Sequence, residues 1–219
     1  MSSPTDLAAW RKAQRAELLA ARVAIPLAVR RSRNEAITRL LSAAFDLLAG
    51  CSIGFCWPYK GEPDPRFFLH AMRARGSRTA LPVVVAKKQP LEFREWWPGA
   101  PTTPGVFDLP IPQGTEVIRP AALLVPPVGF DAQGYRLGYG GGFFDITLAS
   151  MSPQPLKIGV AFEVSRMPTI HPQAHDIPMD YIVTENGIAQ VADGRLVAMD
   201  DLARVRASAA QLLGSRAAS

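Results

Sequence analysis

Short, largely apolar runs recur along this chain, at residues 52–57 (SIGFCW), 79–86 (TALPVVVA), 121–128 (AALLVPPV), 156–162 (LKIGVAF) and 180–185 (DYIVTE). Each is too short for a helix and rich in branched residues, which predicts strands buried on both faces. Residues 91–97 (LEFREWW) alternate polar and apolar, as a half-buried strand does, and 188–198 (IAQVADGRLVA) reads as a further strand region. Helical stretches separate the runs. Thr5 or Asp6 can cap a first helix that reaches about Arg22 and is broken by Pro26. A second is predicted from about Arg30 to Leu48, ending at Gly50, and a third over 66–75, ending at Gly76. A short helix follows at 143–151, and a last one runs from Asp200 to about Leu213. The proline-rich segment 98–114 reads as loop. Strands alternating with helices predict an α/β fold, a single three-layer α/β/α domain over 1–219 with a mostly parallel sheet.

Composition narrows the class. An apolar fraction of 48% with 20% charged residues suits a globular protein long enough to bury a sizeable core. No uncharged apolar stretch reaches the ~18 residues of a membrane span, so no membrane partner is expected. The N-terminus lacks the basic-then-apolar order of a secretory signal, and Asp6 and Glu17 argue against a transit peptide. Cys51 and Cys56 share one predicted strand, where five steps of ~3.3 Å hold them ~16 Å apart, too far for a disulfide. Reduced cysteines and a cytoplasmic location are expected.

The net charge of +5 is concentrated. Residues 1–39 hold eight Lys and Arg against three acids, and the other 180 residues carry sixteen of each sign. A basic helix can serve nucleic acid, a membrane surface or a phosphorylated ligand, or be merely solvated. The neutral remainder and the lack of interleaved aromatics speak against nucleic acid.

The densest chemistry lies in RLGYGGGFFD, residues 136–145. Four glycines, Gly138, Gly140, Gly141 and Gly142, stand between Arg136 and Asp145 after a buried strand and before a helix. Glycine costs backbone entropy, so such a cluster implies tight turning or close approach of a ligand to the backbone. The order strand, loop, helix puts the loop at the carboxyl edge of the sheet, with helix N–H groups facing it, a setting that suits phosphate. It is neither common phosphate motif. Phe143 stands where a dinucleotide fingerprint needs glycine, and the chain contains no Gly-Lys pair for a P-loop. Asp145 should fall in the first helical turn, either as a dipole-stabilising acid or as a ligand to Mg²⁺ lying between it and phosphate.

The run LLVPPVGFDAQGYRLGYGGGFFDITLA resembles the 5-formyltetrahydrofolate cyclo-ligases, or methenyltetrahydrofolate synthetases, whose signature is P-G-x-x-F-D followed by R-L-G-x-G-x-G-Y-Y-D. WPYKGEPD resembles the family's K-x-E-x-D segment, and TALPVVVAKKQPLEFREW, IGVAFE and the later HD…DYIVTE follow in the family's order. The likeness spans roughly residues 8–188. It implies closure of 5-formyltetrahydrofolate, with or without a polyglutamate tail, to 5,10-methenyltetrahydrofolate, using ATP and Mg²⁺ and releasing ADP and phosphate. The resemblance further implies that the formyl oxygen is phosphorylated to an imidate phosphate before N10 attacks. A monomer is expected.

The resemblance also implies roles. Arg11 and Arg15, four apart on one helix face, match the basic pair that contacts ATP phosphates. Arg136, Leu137, Gly138, Tyr139, Gly140, Gly141, Gly142, Phe143 and Phe144 match the ATP loop, with Arg136 and Asp145 as catalytic groups. Asp145 and Asp176 match the Mg²⁺ positions, and Glu62 matches the acid that contacts folate. Trp57, Tyr59 and Phe143 are candidates to flank the folate rings, and His175 is a weaker candidate. The chain departs from the pattern at Phe143-Phe144 for Tyr-Tyr, at Pro127 for glycine, at Val164-Ser165, and in GVFDLPIP, mostly on the substrate side. Two alternatives stay open: a divergent ATP-binding relative acting on another small substrate, and a non-catalytic nucleotide- or folate-binding protein.

Overall fold

The computed structural model describes residues 4–105 and 108–217. The chain builds an eight-stranded sheet. Its centre is parallel and consists of β2 (Arg78–Val83), β1 (Ser52–Phe55), β6 (Ala122–Val125), β9 (Leu156–Val160) and β10 (Tyr181–Thr184). These are the apolar runs, and they occupy the interior because both faces are covered. The edges are antiparallel: β3 (Glu92–Trp96) on β2, and the hairpin of β11 (Gly187–Ala192) and β12 (Arg195–Met199) on β10. The fold is the expected α/β, with a large, mostly parallel sheet.

Helices lie on both faces. Ile53, Phe55, Leu124 and Ile158 pack on one face with α2 (Leu27–Ala44), α3 (Arg66–Ala74) and α5 (Leu202–Ala217). Leu123, Val125 and Ile182 point to the other face, where Leu148 of α4 (Phe143–Ser150) closes the core. Alternate residues of one strand thus serve two cores, as the period of two requires. Helix α1 (Pro4–Val23) lies apart, its Trp10 and Leu18 packed on Leu137, Met167 and Ile170. It already begins at Pro4, a favoured first helical position, so Asp6 is inside the first turn rather than a cap. The Thr5 side chain is outside the described residues.

Boundaries shift elsewhere. Helix α2 starts immediately after Pro26 and ends at Ala44, a separate 3₁₀ turn covering Asp46–Leu48. The segment read as loop, 98–114, contains a hairpin of β4 (Thr102–Pro104) and β5 (Pro110–Pro112). Proline removes ladder donors, which hides such a pair in the sequence and confines it to a small separate sheet. Val106 and Phe107, in GVFDLPIP, are outside the described residues. A second small pair, β7 (Gly129–Phe130) and β8 (Arg136–Leu137), leads into the glycine loop. Cys51 and Cys56 are both free, and burial pushes the Cys56 thiol far up. Among the described residues no helix is long and apolar enough to cross a membrane.

Strand order also locates the site. From β1 the chain moves outward to β2, then returns to the opposite side of β1 as β6. The reversal opens a crevice beyond the carboxyl ends of β1 and β6, the place where open α/β sheets bind ligands.

Candidate active site

Three segments converge on that crevice: α1, the turn after β1, and the glycine loop. Docked through Trp10 and Leu18, α1 turns its basic stripe toward the loop. Arg11 donates to the carbonyls of Ile170 (3.1 Å) and His171 (2.9 Å) and to Asp176 Oδ2 (2.7 Å). One turn on, the Arg15 guanidinium lies beneath Gly140, 3.4 Å from where a Cβ would stand. Its Nε is buried with no hydrogen-bond partner among the described residues. Burial, then the Arg11 charge, lowers its pKa. A second reason excludes side chains here: Gly140 has φ +100° and Gly142, which precedes α4, has φ +66° in the left-handed region.

Arg136 is buried beside this loop. It donates to the carbonyl of Ile177 (2.5 Å) and to Asp145 Oδ1 (2.8 Å), while the same Asp145 oxygen accepts the Ile177 N–H (3.0 Å). Burial draws its pKa below the usual guanidinium value, against the opposing pull of Asp145 and Asp176. Asp145 thereby stands next to the 173–177 loop that carries Asp176, which itself accepts from Arg11 and the Gln173 N–H. The two predicted Mg²⁺ carboxylates are brought together, each paired with an arginine. Among the described residues no group of three or more His, Cys, Asp or Glu side chains could hold a metal ion. The pair still fits Mg²⁺, which commonly takes one or two protein carboxylates and completes its shell with phosphate oxygens and water. His175 is exposed, 3.8 Å from Asp176.

The turn after β1 presents Glu62, only 4% exposed. Its Oε1 accepts the Tyr139 hydroxyl at 2.6 Å and its Oε2 the Tyr59 N–H at 3.0 Å. Arg22, 1% exposed, reaches Glu62 Oε1 at 3.5 Å and donates to the Tyr139 hydroxyl at 2.7 Å. Arg22 also donates to the carbonyls of Lys60 (3.0 Å) and Pro127 (3.3 Å). Burial raises the Glu62 pKa, and its bonds to Tyr139, Arg22 and Tyr59 only partly restore it. Burial and the Glu62 charge push the Tyr139 phenol far up, which keeps it a donor.

The aromatic candidates divide. The Tyr59 and Tyr139 rings lie 6.0 Å apart. Trp57 meets Trp96 edge-on at 5.5 Å and sits under Arg66 at 4.5 Å, on the α3 side, where it helps line a pocket of about 360 Å³ with Phe67, His70 and Pro98. The Phe143 ring covers Gly141, whose Cβ would lie 2.7 Å from it. Phe144 packs against the core on the α4 side, with Arg136 5.9 Å from its ring centroid, and Leu137 is buried against Met167 and Ile170.

Comparison with known proteins adds an independent finding. The sequence profile of the 5-formyltetrahydrofolate cyclo-ligase family matches residues 7–185, most of the chain. The chain belongs to that family. It is 30% identical over 178 residues to a 5-formyltetrahydrofolate cyclo-ligase of Mycolicibacterium smegmatis, covering 78% of this chain and 91% of that one. A cyclo-ligase of Haemophilus influenzae is 25% identical over 135 residues, 58% of this chain and 72% of that one. The NMR structure of Aquifex aeolicus 5,10-methenyltetrahydrofolate synthetase superposes with a TM-score of 0.72 at 26% identity, covering 87% of this chain and 97% of that one.

Within the cyclo-ligase family's signature, this chain keeps the arginine, the glycines and the aspartate and changes the aromatic pair. Phe144 is partly buried and packs against the core on the α4 side. At Pro127 the carbonyl, the group that proline retains, is the one engaged by Arg22. Arg22 itself escaped the sequence reading. Its signal was spacing: positions 11, 15 and 22 fall on one helical stripe. Asp131 was also passed over. It is buried and accepts the N–H groups of Gln133, Tyr135 and Ile170, which fixes the turn before the glycine loop.

Proposed function

We propose that the protein closes 5-formyltetrahydrofolate to 5,10-methenyltetrahydrofolate with ATP and Mg²⁺, releasing ADP and phosphate. The observation that carries this reading is the buried Arg15 Nε, which has no hydrogen-bond partner among the described residues, in a guanidinium beneath Gly140 and in a crevice whose other wall bears the buried acid Glu62. A buried cation edge without an acceptor, framed by glycine backbone, suits an incoming phosphate oxygen. Arg11 and Arg136 add positive charge on the same side.

A formamide oxygen is a poor leaving group. Transfer of the γ-phosphoryl to it gives an imidate phosphate; N10 then attacks the formyl carbon and phosphate departs. Such chemistry needs positioning and charge neutralisation more than a protein nucleophile. Arg15, Arg11 and Arg136 meet the phosphates, and the glycine loop lets backbone N–H groups approach them. Asp145 and Asp176 would hold Mg²⁺, which supplies neutralisation of phosphate charge. Glu62 and Tyr59 contact the folate, with Trp57 and Phe143 as further candidates for its rings.

The test mixes purified protein, 5-formyltetrahydrofolate, Mg²⁺ and ATP and follows the near-ultraviolet absorbance of the conjugated methenyl product. A rise that requires both ATP and Mg²⁺ is expected. No rise, with ATP still bound by calorimetry, would overturn the folate assignment and leave a nucleotide site in search of another substrate.

A further inference from the structure

Arg22 is unlike the other arginines of α1. It is buried, and its acceptors come from both walls of the crevice and from the glycine loop: the Lys60 carbonyl and Glu62 after β1, the Pro127 carbonyl after β6, and the Tyr139 hydroxyl. A cation used this way is sequestered from phosphate. The Tyr139 hydroxyl is the hinge of the arrangement: it accepts from Arg22 and donates to Glu62 through one oxygen. Its flanking residues are Gly138 and Gly140, so the phenol is the side chain by which this stretch of the glycine loop grips the opposite wall. Movement of the loop moves the donor of a buried carboxylate, where a lost hydrogen bond is expensive.

We propose that Arg22 and Tyr139 are positioning residues that link the glycine loop to the Glu62 carboxylate, so that nucleotide and folate bind cooperatively. The assignment of nucleotide to the loop and folate to Glu62 rests on the function proposed above. Phosphate drawing the loop onto Arg15 sets the phenol, the phenol and Arg22 set Glu62, and an oriented Glu62 receives the folate. Coupling of this kind is reciprocal in binding.

The charged and titratable groups around Glu62 are few. Arg22 faces it from α1 and Tyr139 from the glycine loop. Cys56, at the end of β1, feels its charge. In its own turn the Lys60 ammonium lies over the Tyr59 ring, and the Arg30 guanidinium of α2 lies beside Gly61. Of these, only the Tyr139 bond can be removed by a substitution that keeps ring and volume.

Tyr139→Phe in the full chain is the test, read three ways. Calorimetry with a non-hydrolysable ATP analogue, with and without 5-formyltetrahydrofolate, should give at least about fivefold mutual enhancement in the parent and near onefold in the variant. The acid limb of kcat/KM should move to higher pH, because the lost bond favoured ionised Glu62. In a Glu62→Gln background, Tyr139→Phe should move that limb no further. Carbon NMR of the Glu62 carboxyl reads the same shift without turnover. An unchanged Glu62 titration in Tyr139→Phe, or coupling equal to the parent's, overturns the proposal even if the parent makes methenyl product. A parent that makes no product but shows the Glu62 shift overturns the assigned reaction and leaves the link between loop and acid standing.

Discussion

Two charge clusters on the same sheet are built differently. At the amino edge, Asp180 takes two bonds from Arg216 of α5 (2.7 and 2.8 Å), lies 3.1 Å from the Lys157 ammonium, and accepts the Lys157 N–H at 2.7 Å. Arg216 finishes on the Pro155 carbonyl. Its members lie at or just before the starts of β9 and β10 and at the end of α5, so the cluster fastens one helix to the sheet. At the carboxyl edge, Arg11, Arg15, Arg22 and Arg136 reach loops and turns instead, and the buried Arg15 Nε keeps no partner among the described residues. Similar ion pairs thus do two things. Closed pairs at the ends of regular elements satisfy one another and are costly to break, whereas those strung across loops leave a guanidinium N–H without a partner among the described residues.

Substitutions can break this contrast. The largest effect is expected from Asp145→Asn, which should lower Mg·ATP-dependent turnover on the order of 10²-fold or more and weaken Mg·ATP far more than metal-free ADP. Equal losses for both nucleotides, by calorimetry, would remove the metal role. Next comes the amino edge. Asp180→Asn leaves the buried Lys157 and the half-buried Arg216 without their counter-charge and should cost about 3 kcal/mol of unfolding free energy in denaturant titration, with kcat per folded molecule unchanged. Arg15→Ala should do the reverse, raising the apparent ATP requirement about tenfold while stability stays within about 1 kcal/mol. Unchanged ATP kinetics would remove Arg15 from the site.

The smallest effect is a pH dependence. Burial alone would raise the Asp180 pKa, but the Arg216 bonds and the Lys157 charge outweigh it and hold the carboxyl below its ordinary value. A depressed acid contributes stability that is fully present above its unfolded pKa and is lost as pH falls through the folded one. Thermal melts should therefore show acid destabilisation beginning below the ordinary aspartate value near 3.8. The Asp180→Asn protein should lack that component.

Much of this was legible in the sequence, for local reasons. The five central strands announced themselves because a strand covered on both faces must be apolar at nearly every position, as 121–125 and 156–162 are. Arg11 and Arg15 declared a shared face through their spacing, and the glycine loop through its density and order. The β4–β5 hairpin stayed hidden because prolines at 104, 110 and 112 suppress the strand signal. Which neighbours Trp57 meets, Trp96 of β3 and Arg66 of α3, depends on the packing of distant segments.

By itself the sequence determined which segments become the central strands and the helices, where the positive charge is concentrated, and which loop carries the glycines. These depend on side chains within a few residues of one another. Tertiary structure alone decided that β6 returns beside β1 and opens the crevice, and that Arg22 is withdrawn from solvent. It also decided that Tyr139 meets Glu62 across 77 positions of chain. Periodicity carries no record of such meetings, because burial and pairing of polar groups are set by which distant backbones the sheet brings to one edge.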